Sequence, residues 1–223
     1  MKRVGMSLKW ALFVWMAMVI WAAFLWVPTA GGFKGESARI VFFHVPTAWV
    51  ATLAFLVSCI TSVMYLFRRD QRDDSRASVS AGLGLLFAVL ATVTGAIFAR
   101  IMWGAYWNWD PRQTSITILL LIYAAYFALR GAVADPEKRA TLAAVYSILA
   151  FVTVPFLMFI VPRVYWSLHP DVITNADPNN RLDSAHLRVL LASLVGFTGL
   201  YVWLYTIGSR IETIRRRRQQ EVL

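Results

Sequence analysis

Trp103-Gly104-Ala105-Tyr106-Trp107-Asn108-Trp109-Asp110-Pro111-Arg112 sets four large aromatic residues, a carboxylate and a guanidinium between two strongly apolar segments. It is too polar to cross a bilayer and too aromatic for an ordinary loop. Read as a helix, Trp103, Tyr106, Trp107 and Asp110 fall at i, i+3, i+4 and i+7, an aromatic shelf sharing one face with the carboxylate. The same residues also suit an interfacial belt, because Trp and Tyr settle at membrane–water boundaries for general reasons. Asp110-Pro111 reads as an N-cap followed by proline at the first helical position.

Outward from this stretch the chain divides into apolar spans near residues 10–28, 47–67, 79–98, 113–129, 141–161 and 189–207. The first of these is long enough for a hydrocarbon core of about 30 Å at about 1.5 Å per residue. The expected fold is an all-α integral membrane protein, six transmembrane helices in one bundle forming a single domain over residues 1–223. Connections 29–46, 99–112 and 162–188 then share one side, and Arg68 to Arg76 reads as a hydrophilic connection on the other. Pro46 is expected in the first turn of the second span, which puts His44 at its outer lip, and Pro155 should kink the fifth. Gly82, Gly84 and Gly95, with Ala81 and Ala91, permit close helix contacts in the third.

Composition agrees with a polytopic membrane protein and excludes an ordinary soluble domain: 59% of the 223 residues are hydrophobic and 15% charged, with mean hydropathy +0.58. A net charge of +10 does not imply nucleic acid, because Lys and Arg cluster between apolar segments as topology signals. Only Lys34, Arg39, Arg100, Arg112, Arg163, Arg181 and Arg188 fall on the side of the aromatic stretch; the other fifteen lie on the side of the termini. The positive-inside rule therefore sets both termini in the cytoplasm and the aromatic stretch outside. The first apolar run, after Lys2, Arg3 and Lys9, is too long for a signal peptide and lacks a small-residue cleavage site, so it is expected as a retained helix. Cys59, the single cysteine, offers no disulfide or CxxC chemistry and reads as a small buried hydrophobe.

All three histidines, His44, His169 and His186, fall on the outer side. Imidazole is a good axial ligand for haem iron, aromatic rings pack on a porphyrin face, and Arg100, Arg112 or Arg163 would suit propionates. Each histidine has an alternative as a hydrogen-bonded interfacial residue. His186, just before the sixth span, reads as structural and as the substitute ligand if His169 fails.

The segment from Trp103 to Thr114 resembles the tryptophan-rich WWD signature, W-G-x-x-W-x-W-D-x-R-x-T, of the haem-handling proteins of c-type cytochrome biogenesis. With six spans, Phe43-His44-Val45-Pro46 and Trp166-Ser167-Leu168-His169, the chain looks most like the CcmC family over nearly its whole length. The resemblance implies non-covalent haem b held at the outer face of the bacterial cytoplasmic (inner) membrane, with His44 and His169 as axial iron ligands. It implies a cofactor-binding set of Trp103, Tyr106, Trp107, Trp109, Asp110, Arg112 and Arg100. It implies delivery to the haem chaperone CcmE, association with the CcmA and CcmB transporter subunits and with CcmD, and no enzymatic activity of its own.

Tyr106 stands where many relatives have Trp, Pro111 resembles the longer CcmF and CcsA proteins, and Pro170 follows His169 where Gln is common. A CcsA- or CcmF-like lyase component is therefore one alternative. A small cytochrome b would need paired histidines within helices, and a solute permease would need intramembrane ionisable groups; the spans offer almost none of either.

Overall fold

The computed structural model describes residues 2–29, 32–169 and 182–221. Pro170 and Arg181 lie outside the described residues. Helix α1 (Lys2–Trp21) continues through one π-helical turn, Ala22–Trp26. Tight 3-10 turns over Gly32–Ile40 lead directly into α2 (Val41–Arg68), followed by α3 (Gln71–Trp103) and α4 (Pro111–Ala132). Helix α5 (Pro136–Pro155) passes through a π turn, Phe156–Ile160, into the short α6 (Val161–Val164). The chain closes with α7 (Ser184–Glu221). Six helical segments are long and apolar enough to cross a membrane, and this is a multi-pass all-α membrane protein.

Helices α2 and α3 form the central pair, with α5 and α7 also packed on α2. Phe55 of α2 stacks on Tyr123 of α4 with ring centres 3.6 Å apart. Because lipid tails are as apolar as leucine, buried hydroxyls contribute to helix association. Ser58 and Ser147 pair at 3.0 Å between α2 and α5, and Ser80 of α3 donates to the Ala54 carbonyl at 2.7 Å. Helix α1 attaches at the edge through α7, where Trp15 Nε1 donates to the Ala192 carbonyl at 2.9 Å. Its exposed Trp10, Phe13, Trp21 and Leu25 suit a lipid-facing surface.

Pro155 sits where the π turn begins, so the expected irregularity in the fifth span takes the form of a widened turn. Pro46 differs from expectation. Helix α2 starts at Val41, so Pro46 lies inside it and deprives the Phe42 carbonyl of its i+4 donor. Ser193 of α7 donates to that carbonyl instead, and the Phe42 ring stacks on His186 with centres 5.8 Å apart. The proline thus gives α7 a hold on the turn that carries His44.

Two further expectations are corrected. Arg68 to Arg76 is not a loop: only Arg69 and Asp70 break the helix, Arg69 with φ of 56°, and α3 begins at Gln71. Asp70 caps it by accepting from Arg72 N at 2.8 Å. Asp73 and Asp74 occupy the first turn, where negative charge suits the helix dipole. Asp74 is only 3% exposed because Arg130 of α4 grips both its oxygens at 2.6 and 3.1 Å and Arg216 of α7 reaches it at 3.2 Å. Those partners lie far along the chain, so local hydropathy could not reveal them. The second correction concerns the aromatic stretch. Helix α3 ends at Trp103 because Gly104 takes a left-handed conformation, φ 79°, and residues 105–110 are not helical. The shared helical face does not form.

Asp74→Ala strands the Arg130 guanidinium and should destabilise the bundle by about 3–5 kcal/mol, whereas removing both charges as Asp74→Leu with Arg130→Met should be far milder. Thermal unfolding in detergent distinguishes the two; equal losses would contradict this account.

Candidate functional site

At the end of the bundle away from the termini, one cavity gathers residues from five elements: His44 on α2, Gly95 and Trp103 on α3, Arg112 on α4, Met158 after α5, and His169 in the loop beyond α6. Trp107, Asn108 and Asp110 contribute from the connection between α3 and α4. The cavity opens to solvent at its mouth, and the space between its walls, open solvent included, is about 860 Å³.

The imidazole rings of His44 and His169 have centres 6.1 Å apart and planes inclined by 37°. An imidazole nitrogen lies roughly 1 Å from its ring centre and a metal–imidazole bond is about 2.0 Å, so two imidazoles on opposite sides of one iron have centres about 6 Å apart. The separation fits bis-imidazole ligation of one iron. His44 can approach α3 closely because residue 95 is glycine: a Cβ there would meet His44 Cε1 at 3.0 Å. Arg112 lines the same cavity, so a cation suited to carboxylates stands beside the two imidazoles.

His169 is held through Asp110. The Asp110 carboxylate caps α4 by accepting from Arg112 N at 2.9 Å, and it also accepts from Ser167 Oγ at 2.9 Å and from Leu168 N at 2.7 Å. Ser167 Oγ in turn accepts from His169 N at 3.1 Å. One carboxylate therefore ties the start of α4 to the histidine-bearing loop. Gln113 performs a related task, its side chain accepting from Asn108 N at 2.8 Å and donating to the Tyr106 carbonyl at 3.2 Å. Asp110 and Gln113 have the spacing of a capping box, but the glutamine reaches further back and staples the aromatic segment.

Of the nine residues singled out in the sequence, His44, His169, Trp103, Trp107, Asp110 and Arg112 line the cavity. Tyr106, Trp109 and Arg100 do not. Tyr106 is 61% and Trp109 72% exposed. Arg100 hydrogen-bonds the Gly104 carbonyl at the end of α3 and lies over the Tyr106 ring. Trp109 has φ of 54°, unusual for a bulky residue, and its ring meets that of Trp107 edge to face. Arg163 is bonded to the Phe159 carbonyl at 2.8 Å and is not a cavity residue. His186 is buried against Phe42 with Nδ1 2.9 Å from Asp183 Oδ2, apart from the cavity lining. The backbone amide of His186 is the main reason the Asp183 carboxyl is held below its usual range. Ser167 and Gln113 were not foreseen; their signals were a serine two residues before a histidine and a glutamine three after a cap.

The family model for heme exporter protein C matches residues 1–223. Similar proteins include heme exporter protein C of Bradyrhizobium diazoefficiens, 37% identical over 82% of this chain and 70% of the relative. That of Paracoccus denitrificans is 34% identical over 85% and 78%. A putative cytochrome c biosynthesis ccmC-like mitochondrial protein of Marchantia polymorpha is 31% identical over 87% and 83%.

Asp110→Ala should raise amide hydrogen exchange both in the first turn of α4 and across residues 165–169, with a loss of about 0.5–2 kcal/mol from the missing cap. Ser167→Ala should raise it only across 165–169. Unchanged exchange there in both variants would contradict the clasp.

Proposed function

This chain belongs to the heme exporter protein C family, with a role in haem handling during cytochrome c maturation, and we propose that it holds haem b non-covalently and delivers it to CcmE. His44 and His169 bind the iron from opposite sides. Trp103 and Trp107 pack on the macrocycle, and Arg112 receives a propionate. The observation carrying this reading is the 6.1 Å separation of the two imidazoles within a tryptophan-walled cavity. The site end faces the periplasm and both termini the cytoplasm of a bacterial inner membrane, in keeping with the distribution of Lys and Arg. The 1–223 chain works as one domain beside CcmA, CcmB and CcmD.

A donor that bound too tightly would oppose the transfer it serves. The open mouth supports a moderate hold, because one edge of the ligand stays within reach of another protein. Two imidazoles on separate elements favour stepwise release: His44 is fixed in a helix, whereas His169 depends on the Asp110–Ser167 clasp. The protein's task is to bind, orient and shield the haem, and the covalent chemistry belongs to the acceptor. On this reading the chain is not itself an enzyme. Tyr106 and Trp109, outside the cavity and strongly exposed, serve the meeting with the acceptor, while Arg100 supports Tyr106.

Detergent-purified protein should display a low-spin b-type spectrum that His44→Ala or His169→Ala alters or abolishes. Haem that is absent, or unchanged in both variants, would overturn the ligand assignment. Trp109→Gly should relieve about 1–2 kcal/mol of left-handed backbone strain and retain haem, yet slow transfer to CcmE. Undiminished transfer would remove Trp109 from the docking role.

A further inference from the structure

His44 Nδ1 lies 3.0 Å from Thr94 Oγ1, which precedes the cavity-lining Gly95 on α3. A hydroxyl has one proton, and that of Thr94 is directed at backbone carbonyls of its own helix, Leu90 O at 2.8 Å and Ala91 O at 3.1 Å. Its oxygen therefore faces His44 as an acceptor. That acceptor asks one thing of the ring: a proton on Nδ1. With Nδ1 protonated in the neutral ring, Nε2 keeps its lone pair for a metal.

We propose that Thr94 is a positioning residue that fixes His44 in the Nδ1–H tautomer and orients Nε2 toward the haem iron. This rests on the reading of His44 as an axial ligand. Gly95, the next residue, works with it by letting the ring lie close against α3. Donation from Nδ1–H makes the coordinating nitrogen more basic, so the hydroxyl also favours ferric over ferrous iron. Outer partners of this kind are worth about 10–100-fold in metal affinity. His44 thus has a side-chain hydroxyl behind its ring.

Thr94→Val keeps the shape and removes the acceptor; Thr94→Ser keeps the acceptor. In haem-free protein carrying 15N-labelled histidine, three imidazoles are assignable by single replacement. His44 should appear as the Nδ1–H tautomer in the unmodified chain and in Thr94→Ser, with a larger share of Nε2–H in Thr94→Val. In haem-loaded protein, Thr94→Val should raise the midpoint potential and weaken retention about tenfold, with Thr94→Ser restoring both. A dominant Nε2–H tautomer in the unmodified chain overturns the inference. So does Thr94→Val that matches the unmodified chain in tautomer and potential, even where His44→Ala confirms ligation. A haem spectrum indifferent to His44→Ala defeats the ligand reading itself, whatever the tautomer.

Discussion

The Asp110 carboxylate takes hydrogen bonds from Arg112 N, Ser167 Oγ and Leu168 N, and the arrangement of the site depends on that convergence. The aromatic segment before it and the loop after α6 would otherwise be two unrelated connections at one end of a bundle. A carboxylate with several lone pairs can serve both at once, and charge-assisted bonds of this kind are stronger than neutral ones. The cap sets where α4 starts, and thereby where Arg112 enters the cavity. The bonds to Ser167 and Leu168 set where His169 stands relative to His44. The start of α4 and the position of the loop are joined in one side chain.

Much of this was legible in the sequence. Apolar runs of membrane length gave the helix count, since backbone groups in lipid must be paired within the helix. Asp110-Pro111 announced a helix start, and the aromatic motif with His44 and His169 pointed to the end of the bundle that carries the cavity. What was not legible depends on contacts distant in sequence. Asp73 and Asp74 looked like loop residues because Arg130 and Arg216 come to Asp74 only after folding. Pro46 looked like a first-turn proline because Ser193, which takes over as donor to Phe42, is 151 residues away. The helical reading of Trp103 to Asp110 failed for a local reason. Spacing suggested a shared face, but Gly104 was free to turn left-handed and end the helix. Four aromatics are divided as a result, Trp103 and Trp107 toward the cavity and Tyr106 and Trp109 outward.

The two histidines are also supported differently. His44 rides on α2, where Ser193 and the Phe42–His186 stack tie the proline-interrupted turn to α7. His169 lies in a loop whose described anchor is the Asp110 clasp. On the proposed reading, an imidazole carried on a helix is paired with one carried on a loop, an arrangement that suits holding haem and then passing it on.

Near-infrared magnetic circular dichroism of the ferric, haem-loaded protein would decide whether His44 and His169 both bind the iron, because it reports both axial ligands in the unmodified chain. The account predicts the charge-transfer band of low-spin iron between two neutral imidazoles. A high-spin centre with one imidazole, or a band indicating any other second ligand, would contradict it.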